Sequence, residues 1–288
     1  MRRLAHQIRQ VCMRTKAGAF SSRATRLRLG SIIAKDLEAC GFRNLDINNM
    51  KPKHIDALVV CWKERQLATG TIKNLMSLVR RIAEYIGKEN IVKRTNREYG
   101  IKDRRYVTNV SKATNVTDEQ LSRVTDPYSK ASLRIERELG LRLEESIKMQ
   151  PAWADLGDRV RLKDSWTKGG RYREVPLTTA AQREALEYAK AVAGNGSLIP
   201  EGSSYKDQLN RFKAQCAHAG IRHVHGQRHR YAQQRYRALT GMMPPACGGP
   251  TSKQLTPEQK ARDRAARLRI SCELGHAREQ VTAIYLGR

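Results

Sequence analysis

The chain has 288 residues, and its 55 Lys plus Arg against 28 Asp plus Glu give a formal charge of +27, an excess that attracts polyanions, nucleic acid first. Hydrophobic residues at 40% and charged residues at 29% fit folded domains rather than disorder, and the length suits two of them. No apolar run approaches the ~18 residues of a membrane span, the start is too charged for a secretory signal, and six scattered cysteines lack the spacing of a disulfide framework or zinc site.

The N-terminal part reads as helical. Leu27, Leu29, Ile32, Ile33 and Leu37 form an apolar stripe that stops before Gly41. A second stripe, Ile55, Leu58, Val59 and Trp62, starts after Pro52. A third holds Ile72, Leu75, Met76, Val79, Ile82 and Ile86, with Thr71 as its expected N-cap and Gly87 as its stop. Lys73, Arg80 and Arg81 lie on the polar face of that third helix. Taken singly they are an ordinary solvated surface, and their number favours a bundle that also grips DNA backbone. No basic amphipathic helix with Trp or Phe on its apolar face is present to favour a membrane surface instead.

Residues 103–116 lack helical periodicity and read as a connecting stretch. A new unit opens at Thr117-Asp118-Glu119-Gln120, a capping-box pattern. One long helix is expected from about Ser129 to Lys148. Strands follow at Arg159 to Leu162 and Arg173 to Leu177, joined through Thr167-Lys168-Gly169-Gly170 as a hairpin. Helices resume at Ala180 to Ala193, Tyr205 to His218 and Arg228 to Leu239. Pro244, Pro245, Gly248, Gly249 and Pro250 mark residues 241–255 as a loop, and Thr256-Pro257 opens another helix. The expected division is 1–108, a helical domain with a basic N-terminal arm; 109–116, a linker; and 117–288, a mixed α+β domain.

Four segments carry the chemistry-bearing residues. They are Gly140-Leu141-Arg142-Leu143-Glu144-Glu145; Lys168-Gly169-Gly170-Arg171-Tyr172-Arg173-Glu174-Val175-Pro176-Leu177; His225-Gly226-Gln227-Arg228-His229; and Leu274-Gly275-His276, followed by Thr282-Ala283-Ile284-Tyr285. Cutting a phosphodiester without a metal needs a nucleophile, offsetting charge on the non-bridging oxygens, and a proton for the leaving oxygen. Tyrosine can supply the first. Arginine suits the second, since its planar fork stays charged and donates two hydrogen bonds. Lysine or histidine suits the third. Each residue also has a plain reading: Arg142 and Glu145 as a helix ion pair, Lys168 as an exposed turn lysine, and Tyr285 as a packing residue. The histidines at 223, 225 and 229 lack a Cys or carboxylate partner at zinc spacing, so no metal is expected.

In this order and on so basic a chain, the four segments resemble the active-site boxes of the tyrosine recombinases, the phage-integrase family. The resemblance covers most of the chain and looks like the prophage-type integrases of proteobacteria. It implies a mainly α fold with a small β-sheet: a SAM-like core-binding bundle followed by a mixed α+β catalytic domain. It implies Arg142, Arg228 and His276 on the scissile phosphate, Lys168 as general acid toward the leaving 5′ oxygen, His225 in proton transfer or phosphate binding, and Tyr285 as nucleophile. Glu145 and His229 are supporting residues. Lys73, Arg80, Arg81 and Arg171 are expected on DNA.

The implied function is site-specific integration or excision of a mobile element through a 3′-phosphotyrosine intermediate. It needs no cofactor. The expected partners are double-stranded attachment sites, a homotetramer on DNA, and accessory DNA-bending or directionality factors, in a bacterial cytoplasm near the nucleoid. A strand transferase of the type IB topoisomerase kind and a catalytically silent DNA-binding protein of the same fold are the alternatives. Two departures stand out: Gln227 replaces the usual leucine, and the stretch between His229 and His276 is longer than usual. The sequence also ends soon after Tyr285, where many relatives carry a further segment that docks on a neighbouring protomer.

Overall fold

A computed structural model describes residues 3–14, 20–276 and 278–288, apart from the side chains of residues 20 and 21. The chain divides into two compact units, 1–105 and 106–288.

The first unit is built on four α-helices: α1 (Arg3–Arg14), α2 (Phe20–Ala39), α3 (Pro52–Glu64) and α4 (Thr69–Tyr85). Their apolar stripes meet in one core that includes Ile8, Ile33, Leu37, Ile55, Leu58, Trp62, Leu75 and Met76. Buried Asp36 is satisfied within it by the Trp62 indole N–H at 2.7 Å and by Arg65 at 2.7 Å. Two expectations change here. The basic N-terminal stretch is not an arm at residues 3–14, because Leu4, Ile8, Val11 and Cys12 bury one face of α1 in the bundle. Helix α4 begins at Thr69 behind Ala68, ahead of the expected Thr71 cap. It starts without a side-chain cap, so packing of its apolar face rather than capping fixes its first turn.

The second unit carries α5 (Asp118–Ser122), α6 (Pro127–Leu139), α7 (Leu143–Lys148), α8 (Pro151–Ala154), β1 (Arg159–Leu162), β2 (Arg173–Pro176), α9 (Ala180–Ala193), α10 (Tyr205–His218), α11 (Gly226–Thr240), α12 (Pro257–Glu273) and α13 (Glu279–Leu286). The two strands pair antiparallel, with Val160 opposite Val175 and Leu162 opposite Arg173. The expected caps are present at Thr117 and Thr256, and Thr179 and Ser204 cap two further helices, each of the four accepting from the backbone amide three residues on. The main core joins Ile135, Leu139, Val160, Val175, Leu186, Tyr236, Ile270, Leu274 and Leu286, so the hairpin, α6, α9, α11, α12 and α13 close on one another. Among the described residues no helix is long and apolar enough to cross a membrane.

The expected long helix from Ser129 to Lys148 is two helices. Gly140 stops α6 in a left-handed conformation (φ 61°, ψ 28°), with its N–H bonded to the Glu136 carbonyl. A Cβ at that position would also lie 2.6 Å from the Tyr231 ring of α11. The chain turns there and restarts at Arg142, which becomes the N-cap of α7 instead of a mid-helix residue.

Gly140→Ala should therefore meet two costs. One is the left-handed backbone, about 1–2 kcal/mol for a residue with a side chain; the other is a clash with a buried ring. Urea denaturation should show a loss of more than ~2 kcal/mol. An unchanged midpoint would contradict this account of the α6–α7 break.

Candidate active site

Glu145 lies at the third position of α7 and is fully buried. One carboxylate oxygen accepts from the Arg142 backbone N–H at 2.7 Å and from Arg173 Nη2 at 2.6 Å. The other accepts from Arg142 Nη1 at 2.7 Å and Arg173 Nη1 at 3.0 Å. The cost of burying this carboxylate is outweighed by the guanidinium groups of Arg173 and Arg142, which hold its pKa down at about 2. Arg173 comes from β2, whose inward face it shares with Val175. Its Nε donates to the Glu273 carbonyl at 3.0 Å. One carboxylate thus ties the start of α7, the hairpin and the end of α12 together.

Arg228, in the first turn of α11, is 1% exposed. It reaches backbone carbonyls rather than a carboxylate: Nη1 donates to the Gly140 oxygen at 2.6 Å, and Nη2 donates to the Leu274 oxygen. Its Nε is buried without a hydrogen-bond partner among the described residues. Burial and the nearby Arg142 charge lower its pKa to about 10, which leaves it charged at neutral pH. The glycine that ends α6 and the leucine that ends α12 therefore hold the second arginine between them.

Tyr285, on α13, is 7% exposed and packs among three imidazoles and a guanidinium. Its ring centre is 4.4 Å from that of His229, 5.3 Å from His276 in a stacked arrangement, and 6.2 Å from His225. The Arg228 guanidinium carbon is 5.9 Å from the same ring centre. Burial, then the charges of Arg228, Arg142 and Arg173, push the His276 pKa down to about 3. Burial and the neighbouring His225 bring His229 to about 4. Packing about the ring, then Arg228 and Arg142, lower His225 as well, although it lies at the solvent-exposed rim. His229 and His276 are thus neutral at physiological pH, each with one ring N–H to donate and one nitrogen to accept. His276 Nδ1 lies 3.4 Å from Thr282 Oγ1.

The structure brings Arg142, Glu145, His225, Arg228, His229, His276 and Tyr285 into one cluster. Lys168 stands apart from it. It is exposed at the hairpin tip and makes no hydrogen bond or ion pair among the described residues. Arg171 is exposed on the same tip. Lys73 and Arg80 on α4 are half-buried; Lys73 pairs with Asp103 at 2.9 Å and Arg80 bonds the Lys93 carbonyl at 3.3 Å. Arg81 is exposed. Sequence reasoning left Arg173 out of the site. The signal was present in its register: it alternates with Val175 on a two-residue period, so it shares the face turned toward the core.

Two sequence profiles match the chain. The one described as "Phage integrase, N-terminal" covers residues 1–92, and the one described as "Integrase" covers residues 102–234. The chain belongs to the phage integrase family. No curated protein matches the integrase in sequence. Among solved structures, the Tn1549 transposon integrase in complex with circular intermediate DNA superposes with a TM-score of 0.56 at 14% identity, covering 100% of this chain and 96% of that one. A lambda integrase tetramer bound to a Holliday junction gives 0.61 at 14% identity, covering 98% and 77%. The XerH recombinase bound to palindromic difH substrate gives 0.60 at 16%, covering 99% and 81%. At such identities the likeness speaks to the fold, a mainly helical one with a small two-stranded sheet. As an integrase the chain is a tyrosine-type site-specific DNA recombinase. The Integrase profile stops at residue 234, short of His276 and Tyr285, so those two residues rest on the geometry above.

The Glu145 network makes a stability prediction with a definite sign. Because the folded pKa lies below the ordinary value of 4.5, the stabilisation is complete above pH 4.5 and is lost as pH falls toward 2. Glu145→Gln would leave Arg173 buried without its counter-charge, which costs about 3–5 kcal/mol. Chemical denaturation from pH 3 to 7 should show a large loss at pH 7 and a flatter acid limb than the native integrase. Equal stability of the two proteins at pH 7 would contradict the role given to Glu145.

Proposed function

We propose that this cluster is the recombination site, that its substrate is duplex DNA, and that Tyr285 is its nucleophile. One observation carries the reading. Three guanidinium groups, those of Arg142, Arg173 and Arg228, act on one carboxylate, Glu145, and the Arg228 guanidinium carbon lies 5.9 Å from the Tyr285 ring centre. A buried excess of positive charge is costly by itself and suits an anion. A phosphodiester fits, because its two non-bridging oxygens match preorganised donors fixed by the fold.

In this reading the Tyr285 oxygen attacks phosphorus and a 3′-phosphotyrosine bond forms as the bond to the 5′ oxygen breaks. The phenolic proton passes to His225, whose lowered pKa leaves it free to accept one. Arg142, Arg228 and His276 donate to the non-bridging oxygens, and Glu145 with Arg173 keeps Arg142 in place. Lys168 protonates the departing 5′ oxygen. Its exposure at the hairpin tip lets its side chain reach bound DNA. A 5′ hydroxyl from a second duplex reverses the step, so the energy of the cut bond is kept in the phosphotyrosine and no ATP or metal is consumed. Two rounds, on a tetramer assembled over paired sites, exchange both strands. Lys73, Arg80, Arg81 and Arg171 contact backbone phosphates, and accessory DNA-bending factors set the direction.

The test uses a nicked duplex built from the ends of the mobile element that encodes the chain, on which a cut strand traps the covalent adduct. Native protein should accumulate adduct. Tyr285→Phe should form none while binding the duplex equally well. Arg228→Lys should slow adduct formation by at least ~10²-fold, the scale for losing a fixed charged donor. Lys168→Ala should be slow with an oxygen leaving group and restored when sulfur replaces the bridging 5′ oxygen, since a thiolate leaves without a proton. Adduct from Tyr285→Phe, or none from the native chain on a verified site, would overturn the assignment. Relaxation of a plasmid without any attachment site would point to topoisomerase-like strand transfer instead.

A further inference from the structure

Residues 106–116 have no regular secondary structure, yet they are not free of the domain that follows. Asn109 adopts a left-handed backbone (φ 49°). Its carboxamide makes a two-way clasp on Arg288: Nδ2 donates to the Arg288 backbone oxygen at 2.8 Å, and Oδ1 accepts from the Arg288 N–H at 2.8 Å. Ser111 Oγ donates to Gln233 Oε1 at 3.0 Å, and Gln233 Nε2 donates to the Tyr285 carbonyl at 3.0 Å. Two residues of this segment therefore reach the nucleophile helix, Asn109 directly behind it and Ser111 through a single side chain.

The remaining fastenings come from the body of the domain. Buried Arg267, itself held by Asp263 at 2.8 Å, donates to the Gly287 carbonyl at 2.9 Å. The Pro/Gly-rich loop at 241–255 supplies the floor. A Cβ at Gly287 would lie 2.7 Å from Ala246 N and 3.1 Å from Pro245 Cβ. The loop thus seats the backbone just beyond Tyr285.

The fastenings differ in strength. Arg267 and Gln233 are buried, so breaking their bonds would strand polar groups. Asn109 and Ser111 are exposed, so water can replace their bonds at small cost. The pattern is a fixed seat with a releasable strap.

We propose that Asn109 and Ser111 form a positioning strap that holds the Tyr285 helix in cis and couples its placement to the irregular segment 106–116 that opens the second unit. The inference rests on the recombinase reading above and deepens it. Whatever displaces residues 109–111, whether bound DNA or a second copy of the chain, would loosen the helix that carries the nucleophile. Neither residue touches the phosphate in this scheme; both act through Arg288, Gln233 and the Tyr285 backbone.

Asn109→Gly keeps the left-handed backbone unstrained and deletes the clasp, while Asn109→Asp keeps only the acceptor for the Arg288 N–H. Hydrogen exchange of the 279–288 segment, measured on the protein alone, should accelerate roughly tenfold in Asn109→Gly and less in Asn109→Asp. The single-turnover rate of adduct formation should fall in the same order, by roughly fivefold or more in Asn109→Gly, with the Kd for DNA and the Tm unchanged. That split separates positioning from general destabilisation. Unchanged exchange, or faster exchange with an unchanged adduct rate, would overturn the strap. Native protein that forms no adduct would sink the recombinase reading instead, and the exchange comparison, made without DNA, would still decide whether the strap holds the segment.

Discussion

The second unit is organised around a carboxylate that never meets solvent. Glu145 accepts from the Arg142 backbone N–H and from the side chains of Arg142 and Arg173, so its donors come from the start of α7 and from β2. An ion pair buried this deeply gives little net stability over an apolar filling, but losing one partner is severe, because the other charge is then stranded. The arrangement is therefore better understood as a device for specificity. It lets α7, β2 and the α12 terminus come together in one way only.

The proposed chemistry inherits that constraint. Arg142 is held because Glu145 is held. Arg228 is held because Gly140 and Leu274 present carbonyls on either side of it. Both carbonyls belong to residues at helix ends, where backbone oxygens lack an intrahelical partner. The fold thus uses the unsatisfied termini of α6 and α12 to fix a buried guanidinium, and keeps positive charge in excess beside Tyr285. His229 and His276, kept neutral first by burial and then by neighbouring positive groups, add donors without adding charge. A site arranged in this way favours a bound phosphate over water, and it favours most the state in which charge builds on the non-bridging oxygens.

Much of this was legible in the residues. Capping patterns at Thr117 and Thr256 mark two helix starts, and the turn at 167–170 marks the hairpin between the two strands, because these signals are local. The break at Gly140 was misread, since an isolated glycine inside a helical pattern is compatible with continuation. Gly140 ends the helix as a left-handed C-cap, and the Tyr231 ring packed against it, distant in sequence, leaves no room for a side chain there. The charges of the N-terminal segment suggest a basic arm and mask its apolar spacing, in which Leu4, Ile8 and Val11 fall on one helical face. In the site, the boxes placed Arg142, His225, Arg228, His276 and Tyr285. They missed Arg173, whose importance comes from the carboxylate it meets across the fold. Asn109, Ser111 and Gln233 gave no signal at all, because their partners are backbone groups or side chains far along the chain.

The most direct measurement is the identity of the residue joined to DNA. A covalent adduct trapped on a nicked attachment site, digested with nuclease and trypsin, should leave a nucleotide remnant on the Glu279–Arg288 peptide, which holds one tyrosine. The account predicts that fragmentation places the remnant on Tyr285 with a 3′ linkage. A remnant on any other residue, or a 5′ linkage, would contradict it.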